Sequence, residues 1–544
     1  MAGMGSSRGV AFALALAGCG GDAAVPGDGL TTPDANQITP PGTTCGAPVV
    51  AVDTSTPDQV VGTGTADSCT QAALVTALAA GGKITFSCGG AKTIAVTATL
   101  HVRTDVATTI DGGNNITLDG GDAVQIMSFL HENYRVNHTV LTLQHLTFAH
   151  GHAHGTMMYA PAASPCSQGY YDGYAGALYF RDGELVVIDT QFLQNSAEKL
   201  GPDVGGGAIA LLGVSRAVIA NSVFQGNEGS SGGAINSLNS QLDVYDSVFD
   251  GNTATGNGAN GDDASKCSVV ATNGQHQTGS GGNAGAIGID GGDDTTHTFC
   301  GVKFTNNKAG VGALGGALGR TPDGARQTTT IDRCTFDSNT GDSAAAMYFH
   351  NSQLDVTAST FSNNTATRGA GAIQADGTTF AFLNLTFSGN SALAGLGGAV
   401  DLFGGDGTIA FSTFSANHAD GGDPYFGAAI GGNPTLTLVS NLFVNNTAQN
   451  PGAPMQCQVT GTGDGNLQFP ATHVVGTAAD AKCTPTTTFV DPLLGALGDH
   501  GGASATLVPD ATGPAHGAGV TCPPTDQRGM PRPATCCTSG SVEP

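Results

Sequence analysis

The chain of 544 residues contains no tryptophan, and charged residues make up only 11% of it. Positive charge is scarce: the chain has 18 Lys and Arg but 43 Asp and Glu, which gives a formal net charge of -25. Nucleic-acid binding needs clustered Lys and Arg, and a polyanionic sugar needs cationic groups, so this composition disfavours both partners. A membrane-spanning run is also missing at the start, since residues 10–17 are far fewer than the roughly 20 apolar residues that cross a bilayer.

The chain contains a repeat instead. A phenylalanine is followed three residues later by an asparagine nine times. Successive phenylalanines lie 25 to 32 residues apart, except for one step of 55, which we interpret as one coil with a long insertion. A period in this range predicts a solenoid, in which each unit buries its apolar face against its neighbours. The pairs are Phe192/Asn195, Phe224/Asn227, Phe249/Asn252, Phe304/Asn307, Phe336/Asn339, Phe361/Asn364, Phe387/Asn390, Phe414/Asn417 and Phe443/Asn446.

The segments between these pairs predict short strands. Residues 241–245 and 353–357 are β-branched and turn-bounded, and they lack the length and the period of a helix. Gly-Gly-Ala steps such as 232–234 fit corners where a Cβ has no room. Stacked coils would place the phenylalanines inside and join the asparagine amides as a ladder. The predicted fold is all-β: one right-handed parallel β-helix, with 126–450 as its repeats.

The first 18 residues resemble a secretory leader. They carry one positive residue, Arg8, before the apolar run, and they end in Leu16-Ala17-Gly18-Cys19. This ending resembles the bacterial lipobox, which implies cleavage before Cys19, acylation of its thiol and a membrane anchor. By resemblance to Gram-negative sorting, Gly20 directly after the lipobox favours the outer membrane. An ordinary leader with a chance cysteine is the alternative, and residues 19–62 are predicted to be a flexible tether.

Cysteine usage predicts an exported protein. Thirteen cysteines less a lipidated Cys19 leave twelve, an even number typical of disulfide-bearing chains. The adjacent Cys536-Cys537 is interpreted as belonging to two separate bridges. The candidate pairs are Cys69 with Cys88, Cys457 with Cys483, and Cys522 with either Cys536 or Cys537.

A short helix is predicted after Cys69. Ser68 and Gln71 have capping-box spacing, Leu74 and Leu78 lie four residues apart, and Gly81 can end the helix. An open solenoid end exposes unpaired strand edges, so this helix is a candidate N-terminal cap. Residues 63–125 are therefore assigned to the cap and the first coils.

Three groups of motifs carry family resemblances. Residues 68–74, 82–86 and 110–112 look like the opening of bacterial right-handed parallel β-helix repeat proteins, which have a pectin lyase-like fold. The Phe-x-x-Asn and Gly-Gly-Ala-Ile tags are similar to those of chlamydial polymorphic outer membrane proteins, a family of surface adhesins. Segments within 451–544 resemble the choice-of-anchor Q domain: 491–494, 499–502 and 525–533. Together the resemblances imply a binding or structural role at a cell surface.

Catalytic motifs are sparse. Asp262-Asp263 and Asp293-Asp294 could supply paired carboxylates, but the other motifs of polygalacturonase-like sites are missing. We therefore assign no catalytic residue. A secreted polysaccharide lyase or glycoside hydrolase acting on extracellular glycan is the alternative, because fold alone does not specify function.

Histidines and acidic loops are candidate metal ligands. His150, His152 and His154 alternate, so on an extended strand they would share one face, with His145 nearby, and could hold Zn²⁺ or Ni²⁺. Loop histidines without a metal are the alternative. Acidic loops such as 262–263, 293–294 and 420–423 could bind Ca²⁺, or could simply be solvated. No cofactor is assigned.

The sequence thus predicts a lipid-anchored protein of the bacterial outer membrane or cell surface. Its role is adhesion, surface coat or glycan contact, with a glycan or a surface protein as ligand. The insertion 253–283, which contains Cys267, is a candidate binding loop, with a disordered decoration as the alternative. A solenoid face with clustered carboxylates plus Arg or Lys would favour an enzyme, and a face of polar residues with scattered aromatics would favour binding.

Overall fold

The computed structural model describes residues 44–163, 166–258, 267, 279–291, 295–321, 328–395, 397–420, 427–450, 453–474, 476 and 478–544. These residues form an all-β parallel solenoid of about 13 turns with one α-helix, which confirms the predicted fold class. Three stacks of parallel strands, sheets 1, 2 and 3, build its sides.

Sheet 1 supplies two strands to most coils, and the second of these carries the repeated phenylalanine. Its strands are Gln59–Val61, Gly82–Phe86, Lys92–Ala95, Thr108–Asp119, Val140–Ala149, Glu184–Ile188, Gln191–Leu193, Arg216–Ala220, Val223–Gln225, Leu242–Tyr245, Val248–Asp250, His297–Cys300, Lys303–Thr305, Thr328–Asp332, Thr335–Asp337, Gln353–Thr357, Thr360–Ser362, Thr379–Leu383, Thr386–Ser388, Asp406–Ala410, Thr413–Ser415, Thr435–Val439, Leu442–Val444, Leu467–Phe469 and Thr488–Phe489.

Sheet 2 follows the glycine-rich corners. Its strands are Leu100–His101, Met127–Leu130, Leu178–Arg181, Ile209–Leu212, Ile235–Leu238, Ile287–Asp290, Leu318–Thr321, Met347–His350, Ile373–Asp376, Val400–Phe403 and Ile430–Gly432. Sheet 3 consists of two-residue strands that follow seven of the nine repeat asparagines. They form two groups: Glu228–Gly229 and Thr253–Ala254, then Thr340–Gly341, Thr365–Ala366, Ser391–Ala392, His418–Ala419 and Thr447–Ala448.

The repeated phenylalanines form one continuous stack along the core. Successive ring centroids lie 4.6 to 5.2 Å apart, with interplanar angles of 4 to 19°. Phe148 adds a tenth ring, 5.1 Å from Phe192. Rings this close in near-parallel planes gain stacking energy beyond the burial of their area, so the stack ties the coils together. The nine repeat members are all fully buried: Phe192, Phe224, Phe249, Phe304, Phe336, Phe361, Phe387, Phe414 and Phe443.

The asparagines form a buried amide ladder beside the phenylalanines. Asn339 shows the pattern: its Oδ1 accepts from the backbone N–H and the Nδ2 of Asn307 at 3.0 Å each. Its Nδ2 donates to the carbonyl of Phe304 at 2.9 Å and to Oδ1 of Asn364 at 3.0 Å. The residue before each asparagine has a positive φ, 57° at Ser338, which turns the chain at this corner. The ladder thus satisfies polar groups that no water reaches.

The same bonding recurs at the other asparagines, so the predicted ladder of amides is present and backbone bonds are added to it. Each asparagine side chain also bonds the backbone of the preceding coil. Its Oδ1 accepts from the N–H of that coil's asparagine, and its Nδ2 donates to the carbonyl of that coil's phenylalanine. All lie fully buried between strands, outside the three sheets. The asparagines in question are Asn227, Asn252, Asn307, Asn364, Asn390, Asn417 and Asn446.

The ladder of asparagines ends at Asn446. Its Oδ1 accepts from the Nδ2 of Asn417 at 2.8 Å, as elsewhere in the ladder. Its own Nδ2 donates to Oε1 of Gln456 at 2.7 Å instead of to another asparagine. A glutamine that is not part of the Phe-x-x-Asn period therefore closes the ladder, and the repeat alone does not reveal this partner.

Close backbone approach explains the Gly-Gly-Ala corners. A Cβ built on Gly233 would lie 2.2 Å from the carbonyl oxygen of Gly285, and one on Gly398 would lie 2.1 Å from that of Ala428. Neither position has room for a larger residue. The following Ile or Val then begins a strand of sheet 2.

The helix spans Gln71–Ala80, and a 3-10 turn at Ala66–Ser68 precedes it. Leu74 and Leu78 are buried in the solenoid core, so the helix packs on the first coils. The predicted capping box is wrong, because the N-cap is Thr70, whose hydroxyl accepts from the backbone N–H of Ala73. Gly81 ends the helix with a φ of 75°, as its position in the sequence suggested.

The predicted tether extends too far. Residues 44–58 lie along the side of the solenoid, where Cys45 forms a disulfide with Cys300 and its backbone N–H donates to Asp246. Further along, the amide of Gln144 accepts from the backbone N–H of Val52 at 2.8 Å and donates to its carbonyl at 3.0 Å. Residues 59–61 then form the first strand of sheet 1. Buried side-chain partners, which composition does not reveal, order this segment.

The end of the chain also runs back along the coils. Beyond the last strand of sheet 1, Gln527 contacts Thr360 and Thr386 through side-chain hydrogen bonds of 2.7 Å. The backbone N–H of Gly540 donates to the carbonyl of Ser440. These contacts bury a row of threonines on the outside of sheet 1. The resemblance of 451–544 to a choice-of-anchor Q domain stays a prediction.

Five disulfides join the described residues: Cys45–Cys300, Cys69–Cys88, Cys166–Cys267, Cys457–Cys483 and Cys522–Cys537. Three of them use candidate pairings from the sequence. The prediction of a disulfide-bearing chain is thus confirmed. The two-bridge interpretation of Cys536-Cys537 is wrong, because Cys536 is free, as is Cys334 among the described residues. Cys334 occupies a buried corner where the preceding coil carries Val302 and the next coil carries Ser359. Its Sγ donates to the carbonyls of Phe299 and Asp332, so it acts there as a small polar residue.

Candidate binding site

The outer face of sheet 2 is lined by one residue per coil in register. Because strand side chains alternate, Leu178 and Phe180 point into the core, and Tyr179 lies between them on the outer face. The same outward position is occupied in the first coils by His101 and Ser128. In the later coils this row continues with Ala210, Asn236, Gly288, Gly319, Tyr348, Gln374, Asp401 and Gly431.

An aromatic cleft of about 590 Å³ opens at the N-terminal end of this face. We call it the tyrosine cleft. It is lined by Thr99, Ala123, Val124, Gln125, His152, Ala153, His154, Met157, Tyr171, Asp172, Gly173, Tyr174 and Tyr179. Tyr174 stacks on Tyr179 with centroids 5.1 Å apart, and Tyr171 stacks on Tyr159 at 3.6 Å. Tyr171 and Met157 are 41% and 58% exposed, so the cleft presents apolar surface to solvent.

A hairpin-like insertion forms one wall of the cleft. The backbone N–H of Tyr171 donates to the carbonyl of Met157, and that of Tyr159 donates to the carbonyl of Gly169, both at 2.9 Å. The carboxylate of Asp172 accepts from the backbone N–H groups of Thr156 and Met157 at 2.8 Å each. Partial burial opposes its ionisation, but these bonds hold the pKa of Asp172 below its usual value. The wall is therefore held in place before any ligand binds.

The predicted binding insertion is connected to this wall. Within 253–283 the structure describes 253–258, 267 and 279–283, and Cys267 is bonded to Cys166 of the wall. Asn257 pairs with Val311 of the next coil, and Gly258 pairs with Gly281. The described part of this insertion thus belongs to the stack, and its disulfide ties it to the tyrosine cleft.

Three tyrosines and His152 at the tyrosine cleft are uncharged, and Asp172 supplies a negative charge there. Burial, together with the charge of Asp203, raises the pKa values of Tyr159 and Tyr174, and burial raises that of Tyr179, so all three hydroxyls stay protonated. Burial and then the neighbouring His154 lower the pKa of His152, so its ring is neutral at pH 7. The cleft therefore offers hydroxyl and imidazole hydrogen-bonding groups beside aromatic faces.

The four candidate metal-binding histidines separate into different environments. The strand ends at Ala149 and His150 has a φ of 51°, so the prediction that the histidines alternate on one extended strand is wrong. His150 hydrogen-bonds Asp119 at 3.2 Å and Gln194 at 3.0 Å, and His145 bonds Asp111 at 2.9 Å. The rings of His152 and His154 stack 4.1 Å apart in the tyrosine cleft. In the described part of the chain, no three His, Cys, Asp or Glu side chains converge as a metal site.

Several sequence candidates lie outside the described residues: Cys19, Asp262, Asp263, Asp293, Asp294 and positions 421–423.

A second polar group lies on the same face, several coils beyond the tyrosine cleft. We call it the acidic site, and it consists of Tyr348, Gln374, Asp376 and Asp401 on three adjacent strands of sheet 2. The Tyr348 hydroxyl donates to Asp376 Oδ2 at 2.9 Å. Asp401 is fully buried, and neither of its carboxylate oxygens has a hydrogen-bond partner among the described residues. Burial and then the charge of Asp376 raise the pKa of Asp401 to about 8.

The fold and the tyrosine cleft define a parallel β-solenoid with an open, preformed cleft on its outer face. Residues 358–376 match the Chlamydia polymorphic membrane protein repeat. The matched segment contains Phe361, Asn364 and the Gly371 corner, so it spans one rung of the ladders and one strand of sheet 2. This match confirms the resemblance of the tags for one repeat. No curated protein matches the chain.

The repeat and the solenoid fit a surface-exposed structural or adhesin-like protein. Among the described residues, no helix has the length and apolar character to cross a membrane.

Proposed function

We propose that this protein is a lipid-anchored cell-envelope solenoid that binds a neutral glycan in the tyrosine cleft, in the manner of an adhesin. The observation that supports this most is the cleft itself, in which Tyr171, Tyr174 and Tyr179 line an open volume of about 590 Å³. Preformed concave sites with aromatic walls and a few polar groups are typical of small-ligand binding. The face carries polar residues with scattered aromatics, the pattern that favours binding.

The chemistry of the cleft favours a neutral sugar. A pyranose ring presents apolar C–H faces that pack on the faces of tyrosine rings, while its hydroxyls pair with phenol, amide and imidazole groups. Tyrosine supplies such amphipathic contact at low conformational cost. Polyanionic sugars are disfavoured by the net charge of -25 and by Asp172, which lines the cleft.

A glycan array with parallel product assays tests the proposal. The purified protein is screened against neutral and acidic polysaccharides, while reducing ends and unsaturated products are measured in the same samples. Binding of neutral glycans without turnover supports the proposal. Released product would support the alternative of a polysaccharide lyase or hydrolase. If no glycan is bound or cleaved, the proposal is contradicted, and a protein ligand or a coat role is favoured.

Truncating Tyr171 is expected to weaken glycan binding by about tenfold or more, as for aromatic anchors in binding sites. Tyr171→Ala removes a half-exposed ring from the wall but leaves the backbone hydrogen bond to Met157 in place. Titration calorimetry with the best array ligand measures the change.

Tyr245→Ala is the matched control, because Tyr245 lies on a strand of sheet 1 and does not line the cleft. Its affinity should equal that of the wild type. Equal losses in both variants would indicate a general effect on folding, and no loss in Tyr171→Ala would exclude the tyrosine cleft as the binding site.

The lipid anchor is the second part of the proposal. Residues 1–18 would be removed as a leader, Cys19 would carry the lipid, and residues 20–43 would be the tether that leads to the ordered segment at residue 44. Label from an alkyne fatty acid fed to cells is expected on the wild type and is expected to be lost in Cys19→Ser. Label that persists in Cys19→Ser would contradict an anchor at this residue.

A further inference from the structure

The acidic site contains buried polar atoms that the protein does not satisfy. Both carboxylate oxygens of Asp401 and the Oε1 of Gln374 are buried, and no atom in the described part of the chain hydrogen-bonds them. Asp401 lies between Val400 and Leu402, whose side chains are in the core, so its own side chain lies on the outer side of the strand beside Gln374. A buried carboxyl without a partner is costly, and native proteins rarely leave one so.

The charges at this site are of one sign. The charge that acts on Asp401 is that of Asp376, one strand away, and it is repulsive. Asp376 in turn accepts hydrogen bonds from Tyr348 at 2.9 Å and from the Gln374 amide at 3.5 Å. These bonds orient the Asp376 carboxylate and leave the Oε1 of Gln374 without a donor. Among the described residues, no Lys or Arg pairs with either carboxylate.

The unsatisfied atoms are all oxygens. Carboxylate and amide oxygens are the ligands of hard cations, whereas zinc prefers histidine and cysteine. We propose that Asp401, Asp376 and the Oε1 of Gln374 bind a calcium ion. Two carboxylates and one amide fill only part of the coordination shell of the ion, and water fills the rest. We therefore expect a dissociation constant for Ca²⁺ in the range of extracellular calcium modules, about 10⁻⁴ to 10⁻³ M.

Bound calcium would act as a clamp between coils. Its ligands come from two neighbouring strands of sheet 2, and Tyr348 connects a third strand through Asp376. A ligand that binds only the folded chain raises its stability with concentration. The ion would therefore stabilise the coils that lie several turns away from the tyrosine cleft, and this role is independent of glycan binding.

Terbium luminescence tests the site, because Tb³⁺ replaces Ca²⁺ and tyrosine excites it at short range. The chain has no tryptophan, so the sensitising ring must be a tyrosine, here Tyr348. Excitation of tyrosine in the wild type, at about 0.1 M salt to screen the acidic surface, is expected to give terbium emission that excess Ca²⁺ abolishes. Tyr348→Phe should lose the emission but keep a Ca²⁺-dependent rise in Tm.

Asp401→Asn is expected to lose both the emission and the Ca²⁺-dependent rise in Tm. Asp355→Asn is the matched control, because Asp355 lies on a neighbouring strand of sheet 1 outside the site, and it should behave as the wild type. If Asp401→Asn does not fold, as judged by circular dichroism in EDTA, Gln374→Met takes its place and should weaken Ca²⁺ binding several-fold.

Two results would overturn the proposal. One is emission that Asp401→Asn and Gln374→Met leave unchanged, which would mean terbium bound only to the acidic surface. The other is a wild type whose Tm and emission do not respond to calcium at several millimolar, which would mean that Asp401 stays protonated in a cation-free site.

Discussion

Replacing Phe336 by alanine is expected to lower the free energy of unfolding by about 3 to 5 kcal/mol, the usual cost of truncating a fully buried aromatic ring. Phe336 lies 4.7 Å from Phe304 and 4.9 Å from Phe361, so the change removes two stacked contacts and leaves a cavity in the middle of the column. In a solenoid each coil contacts only its neighbours, so we expect the coils on either side of the cavity to unfold less cooperatively. Urea unfolding followed by circular dichroism measures both effects.

Phe336→Leu is the control for this variant, because it keeps most of the buried volume and should cost less than about 1.5 kcal/mol. A loss below about 1 kcal/mol for Phe336→Ala would contradict the claim that the phenylalanine stack holds the coils together.

Replacing Asn339 by alanine is expected to cost a similar amount, about 3 to 5 kcal/mol, for a different reason. The change removes four buried hydrogen bonds, which join Asn339 to the backbone N–H and the Nδ2 of Asn307, the carbonyl of Phe304 and the Oδ1 of Asn364. The Nδ2 of Asn307 keeps its bond to the carbonyl of Phe249, and the Oδ1 of Asn364 keeps the bond from the backbone N–H of residue 339. The groups that lose this partner outright are the backbone N–H of Asn307 and, at its asparagine bond, the carbonyl of Phe304. Each unsatisfied buried group costs about 1 to 3 kcal/mol, and relaxation of the corner recovers part of the sum. Urea unfolding again measures the change.

Gln353→Ala serves as the comparison for the asparagine ladder. Gln353 is an exposed amide on a strand of a neighbouring coil, and its loss should change stability by no more than about 0.5 kcal/mol. Similar effects of Asn339→Ala and Gln353→Ala would show that the ladder contributes little.

The fold could be predicted because the ladders repeat in the sequence. Every Phe-x-x-Asn pair marks the same corner of a coil, so the period alone shows which residues stack. Phe148 was missed because Gly151 replaces asparagine three residues later, and there the backbone N–H of Gly151 donates to the amide of Asn195. The segment 44–58 was missed because it has no period: its order comes from single long-range partners such as Asp246 and Cys300.

The tyrosine cleft was missed for a related reason. Residues 155–174 contain no Phe-x-x-Asn pair, but five of the nine tyrosines fall within positions 159–179. That density was a usable signal for an aromatic surface. What the sequence could not show is that Tyr179, from a strand, and Tyr171, from the insertion, line the same cleft.

The residue spacing within the sequence was sufficient to place the residues of the acidic site side by side. Tyr348, Gln374 and Asp401 are 26 and 27 residues apart, the local period of the phenylalanines, so they share one outward row. Arg320 illustrates the opposite case, because it occupies an inward position where neighbouring coils carry Ile289 and Phe349. Its guanidinium is fully buried and bonds only Thr329 and the carbonyl of Thr295 among the described residues. No apolar pattern predicts a charge there.

The most direct test of the account is to locate the bound glycan. A photoreactive derivative of the best neutral array ligand is crosslinked to the protein, and the labelled peptides are identified by mass spectrometry. We expect labels to concentrate in residues 152–179 and Tyr171→Ala to remove most of them. Labels that fall elsewhere on the solenoid, or a pattern that Tyr171→Ala leaves unchanged, would contradict glycan binding in the tyrosine cleft.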